Sequence, residues 1–347
     1  MQAIVKVSHD DDAVELRDIP QPPAPGRGQV LLEVMAAGVC GSDIHLWRNH
    51  QSWPVTLPLV LGHEFAGVVA AVGEGVTGVA VGDRVACETA ASVCGHCVYC
   101  RTGAYNLCPE RLGYGALADG AFTRFVMARP EILHRIPDGL SFAEAALTEP
   151  VCVAYNALVE RARVRPGDTV VIQGPGTIGI MALLVARLHG ANPIVMVGTD
   201  RDRQRLALAR ELGATETVML GERDPVEVIR AMGDGFGADV VVDVTGVSAA
   251  LEQSLALVRP NGQIVKVGWG PQPLGFSLDP LVAKAVTLQG SFSHTWPTWE
   301  RVLKLLASGQ IDLKPLTTTY QLGDWRAAFA DMESGANVKS LLLPGQT

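Results

Sequence analysis

The chain has 347 residues, of which 48% are apolar and 18% charged, so it can bury a sizeable core and is not expected to be disordered. Its net charge of −8 comes from scattered acidic residues, which argues against nucleic acid and anionic membrane surfaces as partners. No apolar stretch approaches the roughly 18 residues of a membrane-spanning helix. The first six residues read as a strand and not as a signal peptide.

The first 150 residues predict a β-rich domain. Short apolar segments at 30–35, 67–72 and 83–87 are separated by Gly, Pro and Asp, which is typical of an irregular antiparallel domain with barrel character. After Gly290 the pattern is again mixed, with a helix over 298–308 and a closing strand over 340–343. We expect this C-terminal part to pack on the N-terminal domain.

Between these parts, the chain alternates short buried-type strands with helices. This alternation predicts an α/β fold with a doubly wound parallel sheet. The domains are therefore expected to be 1–152 with 291–347, and 153–290. The predicted strands are 169–173, 194–198, 216–219, 239–243, 263–267 and 286–290, and the helices include 178–188, 202–212 and 249–258.

A glycine motif follows the first of these strands and opens the next helix. Gly174, Gly176 and Gly179 fit G-x-G-x-x-G, in which the glycines allow a tight turn, approach of the backbone to a pyrophosphate, and close helix–strand packing. The free N–H groups at the start of the helix, where Thr177 and Ile178 lie, suit phosphate groups. The motif predicts a dinucleotide site.

An acidic residue about 20 positions further on should bind the adenosine ribose. Asp200 stands 21 residues after Gly179, just past the second strand, although an Asp here could instead cap the following helix. A carboxylate repels a 2′-phosphate, so Asp200 favours NAD. Arg201 and Arg205 keep NADP open because either could accept that phosphate.

Four cysteines are crowded into a short lobe over residues 90–110. Their spacing, C-x2-C-x2-C-x7-C, predicts a closed tetrahedral zinc site with a structural role. Disulfides are disfavoured in the expected cytoplasmic compartment, and nothing else in the chain suggests an iron–sulfur cluster. His96 reads as a solvated turn residue. The four predicted ligands are Cys94, Cys97, Cys100 and Cys108.

A second donor set is spread over distant segments. Cys40 and His63 each adjoin a glycine, and with Glu64 they supply sulfur, nitrogen and oxygen; Glu149 is a fourth candidate. A catalytic zinc needs about three protein ligands and one open position. The residues alone leave open whether Glu64 or Glu149 is the third ligand.

These motifs, in this order, resemble the zinc-containing medium-chain alcohol dehydrogenase family, and most closely its sorbitol (L-iditol) and L-threonine 3-dehydrogenase branch. The resemblance covers essentially the whole chain. It implies a GroES-like catalytic domain and a Rossmann domain. It also implies one catalytic zinc and one structural zinc, NAD or NADP, a small-molecule alcohol as substrate, and a homo-oligomer, usually a tetramer with a dimer as the alternative.

The resemblance also assigns roles to individual residues. Asp43 would orient His63, Ser42 and His45 would relay the proton, and Glu64 and Glu149 would serve the catalytic metal. A hydride would pass from the carbinol carbon to the nicotinamide. The further cofactor-contacting positions are Thr245, Val267, Gly268, Trp269, Ser291, Phe292 and Ser293.

The sequence departs from the animal sorbitol dehydrogenases near the expected substrate pocket. Leu46 replaces a tyrosine after the relay histidine, and the segment before Trp296 is shorter. We therefore expect Leu46, Trp47, Trp269 and Phe292 to line a less polar pocket, with His294 either binding a substrate group or lying in a loop or interface. The main hypothesis is oxidation of a polyol. The alternatives are threonine dehydrogenation, a zinc-free quinone reductase and a non-catalytic zinc-binding protein.

Overall fold

The computed structural model describes residues 1–345. Contacts divide the chain into two compact units. The first consists of Met1–Glu149, His294–Glu333 and the described residues from Lys339 onwards, and the second of Pro150–Ser293 and Ser334–Val338. These boundaries lie within three residues of the expected ones, except that 334–338 belongs to the second unit.

The strands, in chain order, are β1 (Gln2–Lys6), β2 (Val14–Asp18), β3 (Val30–Gly38), β4 (Leu59–Val60), β5 (Glu64–Val72), β6 (Arg84–Cys87), β7 (Ala90–Ser92), β8 (Leu112–Gly113), β9 (Phe125–Ala128), β10 (Leu133–Arg135), β11 (Val170–Gln173), β12 (Ile194–Gly198), β13 (Glu216–Met219), β14 (Ala238–Asp243), β15 (Val258–Lys266), β16 (Thr287–Gly290), β17 (Thr317–Gln321) and β18 (Lys339–Leu343).

The helices are α1 (Gly41–Trp47), α2 (Val98–Arg101), α3 (Phe142–Ala146), α4 (Thr148–Tyr155), α5 (Thr177–Leu188), α6 (Arg203–Glu211), α7 (Pro225–Arg230), α8 (Ser248–Leu257), α9 (Asp279–Ala283), α10 (Trp296–Ala307) and α11 (Trp325–Ser334). A π-helical segment, Asn156–Arg161, continues α4. Short 3-10 turns occur at Tyr105–Leu107, Pro130–Ile132, Asp200–Asp202, Lys314–Leu316 and Leu322–Asp324.

The first unit is built on a seven-stranded sheet in the order β10-β6-β5-β3-β18-β17, with β9 also paired to β3. Along β3 buried and partly exposed residues alternate, as expected for a strand with one face on a core. That core contains Leu32, Phe65, Phe122 and Phe329. The C-terminal strand β18 pairs antiparallel with β3 through Leu341 and Leu342, so the end of the described chain completes the N-terminal domain.

The second unit contains a parallel sheet in the order β13-β12-β11-β14-β15-β16. This is the doubly wound order of a Rossmann domain. Strand β11 is buried along its whole length, because helices cover both faces of such a sheet. The predicted fold class is confirmed.

The largest differences from the predicted elements are local. Strand β15 begins at Val258, five residues before the expected start, and takes in the Pro260-Asn261-Gly262 turn. The helical stretch formed by α4 and the π-helical segment was not predicted, because its apolar residues are nearly continuous and show little amphipathic pattern. Gly190 has a φ of +78° and follows His189, the C-cap of α5, which is the left-handed position that glycine favours at a helix end.

Candidate active site and metal centres

Strand pairing brings the catalytic metal donors together. The register of β3 and β5 places Gly38 opposite Glu64, so Cys40, two residues further on, lies beside His63. A Cβ at Gly38 would stand 2.2 Å from Glu64 Oε2, so only glycine leaves room for that carboxylate. The ligand atoms of Cys40, His63 and Glu64 all lie within 4.8 Å of one another. Glu149 is not part of this group.

The electrostatics of the group fit a cation. Burial lowers the pKa of His63, but its hydrogen bond to Cys40 and the negative charges of Cys40, Asp43 and Glu149 outweigh burial and raise the pKa to about 10. A positive charge is therefore stabilised between these groups. Asp43 is fully buried, accepts the Cys40 N–H at 2.8 Å through Oδ2, and has no hydrogen-bond partner at Oδ1 among the described residues.

Glu64 is held by a lysine from the other end of the chain. Lys339 Nζ lies 2.5 Å from Glu64 Oε2, both side chains are fully buried, and the ammonium also donates to Val39 O at 2.6 Å. Burial and repulsion from Glu149 raise the pKa of Glu64, against the opposing charges of Lys339 and His63. Glu64 Oε1 is buried without a hydrogen-bond partner in the described chain.

Glu149 is hydrogen-bonded to a histidine, which is in turn hydrogen-bonded to a tryptophan. His294 Nε2 lies 3.0 Å from Glu149 Oε1, and Trp299 Nε1 donates to His294 Nδ1 at 2.6 Å. His294 is only 2% exposed. Burial raises the pKa of Glu149, but the hydrogen bond from His294 and the positive charges of His63 and Lys339 lower it below its ordinary value. The histidine is therefore neither a surface loop residue nor free to bind substrate through a ring nitrogen.

These residues fit a catalytic zinc. One thiolate, one imidazole and a carboxylate with an orphaned oxygen form the N/S/O donor set that leaves a coordination position open. The unpaired Oδ1 of Asp43 suits the second ring N–H of a metal-bound histidine, which is normally bound by a carboxylate or carbonyl.

Helix α1 carries the expected proton relay and part of the expected pocket. Ser42 and His45 lie on this helix, and the His45 ring meets Trp53 edge-on at 6.3 Å. Leu46 and Trp47, in contrast, are buried in the core of the first unit, where the Trp47 ring packs 5.8 Å from Phe329. The prediction that these two residues line a substrate pocket was wrong, because their side of α1 faces the core.

The cysteine lobe fits a second zinc. Cys94 Sγ lies 3.6 Å from Cys108 Sγ and 3.9 Å from Cys100 Sγ, close to the about 3.8 Å edge of a tetrahedron with Zn–S bonds of about 2.3 Å. Backbone N–H groups donate to the sulfurs, and those of His96 and Cys97 lower the pKa of the Cys94 thiol to about 6. All four ligand atoms lie within 4.8 Å of one another.

The three glycines of the motif in the second unit have different roles, because two are required by packing and one is not. Gly174 has a φ of +98°, and a Cβ at Gly179 would lie 1.8 Å from Gly174 O, so the fold itself requires both glycines. Gly176 is the N-cap of α5, has an ordinary φ of −70°, and a Cβ there would meet nothing within 4 Å. Protein packing therefore does not explain Gly176, whereas close approach of a pyrophosphate does. Thr177, the next residue, donates its hydroxyl to Val338 O, and Ile178 is partly buried.

Asp200 is exposed at the end of β12, as the ribose role requires. The capping role is taken by its neighbours, since Asp202 Oδ2 accepts hydrogen bonds from the backbone and hydroxyl of Thr199. Arg201 is exposed, whereas Arg205 donates to Asn337 O at 3.1 Å and lies 3.7 Å from Asp202. Of the two arginines, Arg201 is therefore the one that can turn to a cofactor phosphate.

The remaining predicted cofactor positions follow the carboxyl ends of β14, β15 and β16. Buried Asp243 accepts hydrogen bonds from Thr245 Oγ1 at 2.7 Å and Lys266 Nζ at 2.9 Å, which ties the first two turns together. A Cβ at Gly268 would lie 2.2 Å from Gly246 N. The backbone N–H groups of Val267 and Gly268 donate to Asp243 O. Ser291 Oγ accepts a hydrogen bond from the Asn156 side chain, and Ser293 has a φ of +55°. The ring centroids of Trp269 and Phe292 are 5.9 Å apart.

Sequence reasoning missed Lys339 and the role of His294. A lysine at the head of an otherwise apolar closing strand was a usable signal for a buried ion pair. No comparable signal marks His294, because its partner Glu149 lies 145 residues earlier in the chain.

Comparisons with known proteins agree with this arrangement. The model of the alcohol dehydrogenase GroES-like domain matches residues 26–138, and that of zinc-binding dehydrogenases matches residues 177–308. The chain is 40% identical to sorbitol dehydrogenase of Halalkalibacterium halodurans, with 99% of each chain covered, and 37% identical to D-arabitol-phosphate dehydrogenase of Enterococcus avium, with 99% of this chain and 97% of the relative covered.

Among solved structures, a zinc-binding dehydrogenase from Sinorhizobium meliloti bound to NADP superposes with a TM-score of 0.89 at 29% identity, covering 99% of each chain. The family matches and the 40% identity over nearly the whole length agree with the two donor sets and the glycine motif. The chain belongs to the zinc-binding, GroES-like family of alcohol dehydrogenases.

Proposed function

We propose that the protein oxidises a secondary hydroxyl of a polyol or sugar alcohol to the ketone, with NAD as hydride acceptor. The observation that carries this proposal is the Cys40, His63 and Glu64 donor set, because it offers a zinc an open position for a substrate oxygen. The polyol class is supported by the relatives, which act on sorbitol and D-arabitol phosphate according to their names.

The zinc, the nicotinamide and side chains of the protein have different roles in the reaction. Zinc, when bound, acidifies a coordinated hydroxyl, and the nicotinamide accepts the hydride. Cys40 and His63 would hold the metal, and Asp43 would fix His63 in the ring orientation that metal binding needs. Ser42 Oγ takes the hydroxyl proton of the substrate and passes it towards His45, whose exposed ring returns it to solvent.

The cofactor choice follows from Asp200. Its exposed carboxylate at the end of β12 accepts hydrogen bonds from the two ribose hydroxyls of NAD and repels a 2′-phosphate. The S. meliloti structure holds NADP, so NADP is the second candidate, with exposed Arg201 as the residue that would accept its phosphate.

The protein is expected to be a homotetramer, with a dimer as the alternative. Strand β16 ends the sheet of the second unit and has no partner on its outer edge among the described residues. Exposed apolar side chains cluster in the sequence around it, with Val282 80% exposed and Leu274, Leu278 and Leu288 each more than a third exposed. Such an edge and surface suit pairing with another copy. Light scattering coupled to gel filtration measures the state.

Residues 1–345 contain no helix with the length and apolar character needed to cross a membrane. The cytoplasm remains the expected compartment, because closely spaced thiol ligands require reducing conditions. Nucleic acid remains an unexpected partner on the grounds of net charge.

The deciding experiment is reduction of NAD and, in parallel, NADP by zinc-loaded protein with sugar alcohols, their phosphates, vicinal diols, simple secondary alcohols and L-threonine. We expect turnover with a polyol, and none from Cys40→Ser protein that retains its lobe zinc. Turnover of L-threonine alone would replace the polyol proposal with the threonine one. Inactivity across the panel, in protein containing both zinc ions, would support the non-catalytic alternative.

A further inference from the structure

Trp299, His294 and Glu149 form a chain of two hydrogen bonds in which the donor of each bond is fixed. The indole N–H of Trp299 can only donate, so His294 Nδ1 accepts and carries no proton. A neutral imidazole then has its proton on Nε2, which faces Glu149 Oε1 at 3.0 Å and donates to it. Both ring nitrogens of His294 are therefore used inside the protein.

Burial makes this arrangement stiff. His294 is 2% exposed, Trp299 is fully buried, and their rings meet at 75° with centroids 5.2 Å apart. The Trp299 ring also stacks on buried His134, with ring centroids 5.2 Å apart and an interplanar angle of 9°. His294 thus has little freedom to rotate away from Glu149.

The two carboxylates near the metal donors are held in different ways. Glu64 is paired with a full positive charge, Lys339, through Oε2. Glu149 receives a single hydrogen bond from a neutral ring at Oε1, and the described residues offer it no other. His294 bonds to Oε1 only, so Oε2 of Glu149 is not used by this histidine.

We propose that His294, fixed by Trp299, is a positioning residue that orients Glu149 so that Oε2 of this carboxylate is presented to the catalytic zinc. The inference rests on the proposed function and deepens it, because it gives Glu149 a role at the metal in addition to the Cys40, His63 and Glu64 donor set. His294 itself contacts neither metal nor substrate. Orienting a metal-binding carboxylate by a hydrogen bond of this kind usually changes metal affinity by roughly 10–100-fold.

The test compares two substitutions. His294→Leu removes the donor, whereas His294→Gln can place an amide N–H where Nε2 stands. We expect His294→Leu to weaken zinc binding at the Cys40 site by roughly 10–100-fold in competition with a chelator, and His294→Gln to restore most of that affinity. Cobalt bound at the same site should show an altered ligand-field spectrum in His294→Leu and a nearly native one in His294→Gln. Zinc in the cysteine lobe should not change.

Two controls separate positioning from general damage. Glu300 lies on the same helix, α10, and its partly exposed carboxylate contacts His134 and not His294. Glu300→Gln should therefore leave the cobalt spectrum native. In a Glu149→Gln background, His294→Leu should have little additional effect. Equal effects of His294→Leu with and without Glu149, or native zinc affinity in His294→Leu, would overturn the inference.

A measurement on the unmutated protein does not depend on any variant folding. Nitrogen-15 NMR of the histidine rings should find His294 with a bare Nδ1 and a slowly exchanging Nε2 proton. The opposite tautomer would overturn the inference. An altered metal site without any turnover across the substrate panel would leave this inference standing while rejecting the proposed function.

Discussion

Lys339 and Glu64 form an ion pair that is completely buried, with Nζ and Oε2 2.5 Å apart, and they join the last described strand to the first residue of β5. Removing one partner of such a pair leaves an uncompensated charge in the core. Lys339→Met, which retains the apolar length of the side chain, should therefore lower the free energy of unfolding by about 3–5 kcal/mol.

Denaturant unfolding of the zinc-loaded protein measures this loss. Adding Glu64→Gln to Lys339→Met should recover part of it, because the double variant no longer buries a lone charge. An unchanged free energy of unfolding in Lys339→Met would mean that the pair contributes nothing to stability.

The cysteine lobe should lose its metal independently of the catalytic centre. Cys94→Ser removes the thiolate that lies 3.6 Å and 3.9 Å from two of its neighbours. We expect the zinc content to fall from two ions per chain to one and the melting temperature to fall. The matched control is His96→Ala in the same lobe, which should retain both ions. Loss of zinc in that control would make His96 a ligand.

The three glycines of the dinucleotide motif should respond differently to alanine. Gly176→Ala adds a methyl group where the protein offers open space, so it should raise the KM for NAD with little change in unfolding. Gly179→Ala forces a methyl group to 1.8 Å from Gly174 O and should cost at least about 1–3 kcal/mol of stability. Paired cofactor titrations and thermal melts measure both effects. If Gly176→Ala destabilised the fold without affecting NAD, its ligand role would be wrong.

Replacing Asp200 should change the cofactor preference. Asp200→Ser removes the repulsion of a 2′-phosphate and weakens the ribose contact, so kcat/KM for NAD should fall roughly 10–100-fold while that for NADP rises. The control is Asp202→Ser, which disrupts the Thr199 cap and not the ribose position. The assignment of Asp200 to the ribose is wrong if the ratio of kcat/KM for NAD to kcat/KM for NADP changes only in the Asp202→Ser control.

Local patterns in the sequence were enough for the fold class and for the zinc lobe. The predicted strands 194–198 and 216–219 match β12 and β13 to the residue, and the cysteine spacing alone indicated the lobe, because both depend on neighbours in the chain. Cys40, His63 and Glu64 were grouped from their donor types and from the family resemblance, and their ligand atoms lie within 4.8 Å of one another.

Side-chain direction and long-range pairing could not be predicted in this way. Leu46 and Trp47 stand next to His45 in sequence, yet the helix turns them into the core. The partners Glu149 and His294, like Glu64 and Lys339, come from segments that no periodicity connects. Only the folded chain shows that Glu64 forms an ion pair with Lys339, whereas Glu149 is hydrogen-bonded to the neutral ring of His294.

Strand β18 pairs with β3 across some 300 positions of sequence, through Leu341 with Gly38 and Leu342 with Ala37. During synthesis, the four cysteines of the lobe therefore leave the ribosome long before Lys339 or His294. The structural site draws its ligands from the single segment 94–108, whereas the catalytic site acquires its full surroundings only when β18 has been added. A product ending before β18 would thus contain all four lobe ligands and lack the lysine that pairs with Glu64.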